Sequence, residues 1–331
     1  MKKIRIDFVD FWPDLDKEHN YFTDRLRLYY DVEISKDPEY VFCSCFGRSH
    51  FRYADKVKIL FVGENIVPDF NLYDYAMGFH YLDFEDRYLR LPLYALYDKE
   101  TRLKPALEKH TKDRSVYLQK KGFCNFVVSN PMAAGERDEM FKALSAYKQL
   151  ASGGRYRNNV GGPVKDKIAF EKEYKFTLCF ENSGTSGYTT EKILEAFAGE
   201  TVPIYWGNPR IREEFNPGAF IDLRQFASVD ACVEYVKRVD EDEELFLSMM
   251  EAPIVTEQTE ASKILKEDYA DDFLRRIFDG ETEGKKRRNM VYYGENYQKD
   301  MADAAKIQSS LDVVKKPVHT IKKKIRQKKQ A

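Results

Sequence analysis

Phe180-Glu181-Asn182-Ser183-Gly184-Thr185-Ser186-Gly187-Tyr188-Thr189-Thr190-Glu191-Lys192-Ile193 joins an apolar, β-rich run (176–180) to a helical pattern through a Ser/Gly-rich turn. Ile193, Ala196 and Phe197 share one helical face, so the helix packs on a sheet. Thr189 or Thr190 is placed to cap it, and Gly199 to end it at C′. The helix then starts at the carboxyl end of a parallel strand, where open α/β sheets bind ligands. Unpaired backbone N–H groups and the positive dipole end favour a phosphate there. Lys192 is a cation in a first turn that disfavours one, which an anionic ligand would explain. From these residues alone, a phosphate site and a plain capped helix are equal readings. The glycine spacing matches neither the P-loop nor the dinucleotide fingerprint.

The same alternation extends in both directions. Short apolar runs at 4–9, 40–43, 57–62, 123–128, 202–206 and 220–221 read as strands. Helical patterns fall at 21–30, at about 136–150, at 190–198 and at 229–239. Strands alternating with helices imply βαβ units and mainly parallel sheets. Gly153-Gly154 and Gly161-Gly162 bracket a basic loop, a hinge-like composition. The expected domains are therefore 1–152, 153–300 and a basic tail, 301–331.

The length of 331 residues suits two domains, and 43% apolar with 14% aromatic residues excludes a disordered or fibrous chain. No apolar run reaches the roughly 18 residues of a membrane span. The first ten residues alternate charged and apolar, which reads as a strand and not as a secretory signal. Five scattered cysteines fit a reducing compartment, so a cytoplasmic location is expected. The five histidines form no metal-ligand spacing and no triad order, so no metal is implied; His50 alone lies where it could touch an acceptor. The net charge of −1 conceals an asymmetry, because 315–331 holds eight of the 54 cations and no acid. The remaining 46 cations face 55 acids, a body of −9. Val314, Val318, Ile321 and Ile325 form an apolar stripe within that tail. Residues 313–331 therefore read as a basic amphipathic helix in peripheral contact with anionic lipid at the inner face of the cell membrane. Nucleic-acid binding is disfavoured, since the tail lacks interleaved aromatics.

Glu181-Asn182, Tyr188-Thr189-Thr190-Glu191-Lys192 and Val202-Pro203-Ile204-Tyr205-Trp206-Gly207 together resemble the signature of the α-1,3/4-fucosyltransferases, in particular their bacterial soluble members. Phe46-Gly47, Gly63-Glu64-Asn65, Pro68-Asp69-Phe70, Asp86-Arg87-Tyr88-Leu89-Arg90, Val128-Ser129-Asn130, Arg157-Asn158-Asn159 and Tyr174-Lys175-Phe176 follow the family order over residues 1–280. The resemblance implies a GT-B fold, an α/β architecture of two Rossmann-like domains facing a cleft. It implies GDP-fucose as donor, no required cofactor, and an N-acetyllactosamine-type, lipooligosaccharide-like glycan acceptor.

Carried over residue by residue, Lys192 and Arg157 hold the diphosphate with Tyr188 beside it. Glu191 takes the ribose hydroxyls, Asn182 lines the nucleotide pocket, and Ser129, Asn130 and Arg137 contact the donor. Glu64 falls on the catalytic-base motif, with Asp69 in reserve. The turn 183–186 and Thr189 depart from the familiar bacterial pattern without changing the spacing from Asn182 to Lys192. The chemistry is independently coherent: fixed cations aimed at a departing diphosphate stabilise the transition state more than the ground state. The expected reaction is inverting transfer of L-fucose from GDP-β-L-fucose to GlcNAc, in α-1,3 linkage with α-1,4 left open. The rivals are a GT-B transferase using another sugar nucleotide and a non-catalytic sugar- or nucleotide-binding protein.

Overall fold

A computed structural model describes residues 1–96, 99–280 and 283–328, with backbone alone at 99, 283 and 313–328. The chain divides into two compact units. Unit 1 comprises 1–77, 85–88 and 273 onward; unit 2 comprises 78–84 and 89–272.

The first sheet uses strands β1 (Lys2–Val9), β2 (Tyr30–Ile34), β3 (Tyr40–Cys43), β4 (Val57–Phe61), β5 (Tyr75–Gly78) and β6 (Tyr88–Arg90), in the order β2-β1-β3-β4-β5-β6. Its first five strands pair in parallel. Helix α1 (Tyr21–Arg27) is capped by Asn20, whose side chain accepts from the Phe22 and Thr23 amides. Phe22 of this helix stacks on Phe42 at 5.1 Å, which itself stacks on Phe8 at 5.0 Å.

The second sheet uses β7 (Gly122–Phe126), β8 (Ala151–Ser152), β9 (Tyr174–Phe180), β10 (Val202–Trp206) and β11 (Ile221–Asp222), in the order β11-β10-β9-β7-β8, parallel throughout. Helices α2 (Gly135–Tyr147), α3 (Lys167–Glu171), α4 (Glu191–Ala198) and α5 (Val229–Glu241) accompany it. The period-2 rule sorts the strand side chains between its two faces. Phe176, Leu178, Phe180, Ile204 and Trp206 pack with Met140 and Leu144 of α2 and Val233 and Val236 of α5. Cys179 and Tyr205 pack on the other face with Ile193, Leu194, Ala196 and Phe197 of α4. Burial on both faces explains why β9 and β10 read as nearly continuous apolar runs.

The division of the chain differs from the expected break between 152 and 153. β7 and β8 pair inside the second sheet, so residues from 89 onward already belong to unit 2. The first of the two glycine pairs that suggest a hinge serves packing instead: a Cβ on Gly154 would lie 1.9 Å from the Val128 carbonyl oxygen. At the other end, residues expected to extend the second domain return to unit 1. Arg288 is buried and pairs at 3.0 Å with buried Asp74, while its guanidinium also donates to the Lys56 carbonyl at 2.7 Å. The last helix, α6 (Tyr293–Lys328), runs through Pro317 and so starts well before the tail. Among the described residues no helix is long and apolar enough to cross a membrane.

Candidate active site

The second sheet reverses strand order between β7 and β9: β8 lies beyond β7 on one side, with β10 and β11 beyond β9 on the other. Ligands bind at the carboxyl ends of strands flanking such a switch point. Ser129 and Asn130 follow β7, Arg157 follows β8, and Asn182, Tyr188, Glu191 and Lys192 follow β9. Backbone bonds tie the three loops together. The Ala134 amide donates to the Asn182 carbonyl at 3.0 Å, and the Tyr156 amide donates to the Val128 carbonyl at 3.0 Å.

The start of α4 is organised by Glu181. This fully buried carboxylate accepts from the Thr190 amide at 2.7 Å through Oε1. Through Oε2 it accepts from the Thr190 hydroxyl and the Lys192 ammonium, both at 2.8 Å. The expected cap is therefore replaced. Thr190 is the N-cap residue, but its side chain makes no capping bond, and Glu181 satisfies the helix amide in its place. At the other end Gly199 has an ordinary φ of −73°, and Glu200 takes the left-handed position at 53°. Burial disfavours the charge on Lys192, but the Glu181 and Glu191 carboxylates outweigh it and hold its pKa above the ordinary lysine value. Burial likewise works against the Glu191 carboxylate, and Lys192 and Lys167 outweigh it to keep that group ionised below the usual range. Lys192 thus already has a counter-charge within the protein, and its third N–H remains for a ligand.

Arg157 sits at a left-handed φ of 53°, an uncommon conformation for a non-glycine residue. Its guanidinium lies 5.1 Å from the Phe141 ring and 5.2 Å from Tyr156, with Asp138 at 3.4 Å, and is partly exposed. Ser129 and Asn130 are exposed and Asn182 is half-buried. Two other expected donor contacts are built into the scaffold. Arg137 is 1% exposed and donates to the Asn130 and Pro131 carbonyls at 3.0 and 2.9 Å, bracing their loop from beneath. Its Nε and Nη1 are buried without a hydrogen-bond partner among the described residues. Tyr188 is 2% exposed, its ring edge-on to Phe79 at 4.8 Å.

The turn before Tyr188 rests on a network that local sequence patterns do not single out. Gly187 has φ +87°, and a Cβ there would meet the Phe79 carbonyl oxygen at 2.3 Å. Its amide donates to Asn208 Oδ1 at 2.8 Å, and Asn208 Nδ2 donates to buried Glu214 at 2.8 Å. Glu214 in turn pairs with Arg90, which stacks on Tyr81 at 4.2 Å.

Both halves of a known enzyme family match this chain. A model for the N-terminal domain of α-(1,3)-fucosyltransferase FucT covers residues 6–97, and one for the C-terminal part of glycosyltransferase family 10 covers 117–259. The chain belongs to the family 10 fucosyltransferases. It is 35% identical over 295 residues to the α-(1,3)-fucosyltransferase FucT of Helicobacter pylori, a match that covers 76% of this chain and 61% of that one. The chain thus spans about three-fifths of that relative's length. A crystal structure of an α1,3-fucosyltransferase with GDP-fucose superposes with a TM-score of 0.70 at 29% identity, covering 85% of this chain and 92% of that one. A further α1,3-fucosyltransferase crystal structure gives 0.74 at 29% identity, covering 88% and 93%. The two parallel α/β units are those of a GT-B fold.

In this fucosyltransferase-family chain, Glu64 stands exposed in unit 1, beyond the carboxyl end of β4, and its carbonyl accepts from the Ile66 amide at 2.8 Å. Asp69, the reserve candidate, is engaged elsewhere. Its Oδ1 accepts from Asn71 at 2.9 and 3.0 Å, and its Oδ2 from the Tyr297 hydroxyl at 2.7 Å. His50 is buried with Nδ1 at 2.9 Å from Asp10 Oδ2, which ties its loop to the turn after β1. Glu181, to which the sequence reading gives no role, is the residue at the centre of the charges at the start of α4. Its sequence signals are its place in the quoted signature and its position directly after an apolar strand run.

Proposed function

We propose that this chain transfers L-fucose from GDP-β-L-fucose to the GlcNAc of an N-acetyllactosamine-type glycan, with inversion at the anomeric carbon. The observation that carries this reading is the ring of strand-end side chains after β7, β8 and β9, with Lys192 held by buried Glu181. Arg157 and Lys192 receive the diphosphate, the one as a fork and the other as a point charge. As the bond from fucose C1 to the GDP oxygen breaks, negative charge accumulates where these cations are already oriented. The acceptor hydroxyl attacks C1 from the opposite face and its proton passes to Glu64, because a neutral hydroxyl is a weak nucleophile. The products are the α-fucoside and GDP. The presence of GDP-fucose in a solved relative supports the donor assignment. The test is stabilisation against heat by GDP, UDP and CMP at equal concentration, followed by NMR of the product linkage. GDP should raise the melting temperature most; equal shifts from all three would overturn the donor assignment.

We also propose that residues 313–331 bring the enzyme to the anionic inner face of the cell membrane, near a lipooligosaccharide-like acceptor. The eight cations of that segment support this reading, since each near-surface cation contributes about 1 kcal/mol on anionic lipid. Sedimentation with anionic vesicles should separate the full chain from one ending at Asp312. Equal binding by both would sink the idea.

A further inference from the structure

Unit 1 contains a cavity of about 930 Å³ between the 45–52 segment and helix α6. Phe46 and Phe51 give it an aromatic wall, and Ala302 and Ala305 leave it room on the helix side. Arg48, Arg52 and Lys306 are among its lining residues, and no Asp or Glu is. A wholly cationic set of charges is notable in a chain whose body is acidic. Arg48 pairs with Asp312 at 3.1 Å and Lys306 with Asp303 at 2.8 Å, and both acids lie outside the lining. Arg52 is exposed. Ser309 and Ser310 donate to carbonyls one turn back in α6, at 2.8 and 3.1 Å, which leaves their oxygens as acceptors.

The cavity adjoins the loop of the proposed base. The Phe46 ring that lines it lies against Gly63, where an added Cβ would be 2.8 Å away. The Gly63 backbone also hydrogen-bonds Cys45, another lining residue. Glu64 is the next residue. Helix α6 lies beyond the two stretches matched by the family models.

We infer that this cavity is an acceptor subsite for a glycan carrying an acidic group, a carboxylate or a phosphate monoester, next to the sugar that receives fucose. The inference rests on the reading of Glu64 as the base. An acidic substituent would meet Arg52 and Lys306, sugar hydroxyls the two serines, and a pyranose face Phe46.

The test compares KM for N-acetyllactosamine, its sialylated form and a phosphorylated form, in the wild type and in Arg52→Ala/Lys306→Ala. The wild type should favour at least one acidic acceptor by about fivefold, the scale of two partly exposed ion pairs. That preference should shrink in high salt and vanish in the double variant, with KM for GDP-fucose unchanged. Ser309→Trp, which fills the cavity without altering charge, should raise KM for the favoured acidic acceptor. Equal KM values in the wild type, or a preference that survives the double variant, would overturn the subsite. No transfer from GDP-fucose to any acceptor, neutral included, would instead sink the enzymatic reading and the subsite with it.

Discussion

Lys192, just past the end of β9 in unit 2, is held by a fully buried carboxylate, whereas the carboxylate proposed as base in unit 1 stands exposed on a loop. Lys192 is fixed by Glu181, which is anchored to the backbone of Thr190. Glu64 follows a buried strand but projects from a segment whose neighbours Ile66 and Val67 are exposed as well. The contrast matches two demands. A group that stabilises departing charge gains from being preoriented in a dry site. A base that must accept many acceptor hydroxyls needs reach and access more than rigidity.

The largest expected effect tests the rigid side. Lys192→Ala should lower turnover by about 10²–10³, the scale for losing one preorganised charge-stabilising group. It should weaken GDP in calorimetry as well. A variant with turnover near wild type would mean that Lys192 only pairs with Glu181. The next effect tests the exposed side. Glu64→Gln should lose about 10²-fold in transfer while keeping wild-type affinity for GDP, because the base acts on the acceptor and not on the nucleotide. Weaker GDP binding in this variant, with turnover intact, would reverse the assignment of roles between the units.

The two regions were also unequally legible. The layout of strand, turn and helix from 176 to 198 follows from local patterns, since β9 and α4 are each apolar where they meet the core. The domain division was not legible. Gly153-Gly154 has the composition of a hinge, yet Gly154 is there because β8's loop crosses the Val128 carbonyl too closely for a side chain. Arg288 ends the basic run Lys285-Lys286-Arg287-Arg288, and its burial depends on Asp74, 214 residues away in sequence. Glu181 carried the same difficulty on a smaller scale. A carboxylate beside a binding turn resembles a ligand contact, and only the fold reveals that it faces inward to Thr190 and Lys192. Long-range pairing leaves no periodicity to read.

A smaller effect separates the buried charges of unit 2 by pH. Glu171 on α3 is fully buried, and neither oxygen has a hydrogen-bond partner among the described residues. Lys167 lies 3.7 Å away. Burial pushes its pKa up to about 7 despite Lys167, from an ordinary value of 4.5. An acid raised in the folded state binds its proton more tightly there than when unfolded, so it costs stability as pH rises from 4.5 towards 7. Between pH 5 and pH 8 the cost grows by about 2 kcal/mol. Urea unfolding of Glu171→Gln against wild type should show the variant gaining by that amount over this range. A difference that stays constant with pH would place the Glu171 titration near its unfolded value.

The smallest effect concerns how Lys192 is aimed. Glu181→Gln keeps an oxygen for the Thr190 amide but removes the charge that the ammonium faces, and can turn an N–H towards it. The cation is still present, so the loss should be well below that of Lys192→Ala. About tenfold in turnover is expected, the worth of one charge-assisted hydrogen bond at 1.4 kcal/mol per decade. A purely structural role would lower the melting temperature and leave the pH profile of the folded enzyme alone. A positioning role predicts more. Glu181 is one of the two carboxylates that hold the Lys192 pKa above its ordinary value, so the alkaline limb of turnover should move to lower pH in Glu181→Gln. Glu181→Asp, which keeps the charge on a shorter arm, should restore that limb even if turnover stays reduced. An unchanged alkaline limb in Glu181→Gln, with only the melting temperature lowered, would reduce Glu181 to a helix cap.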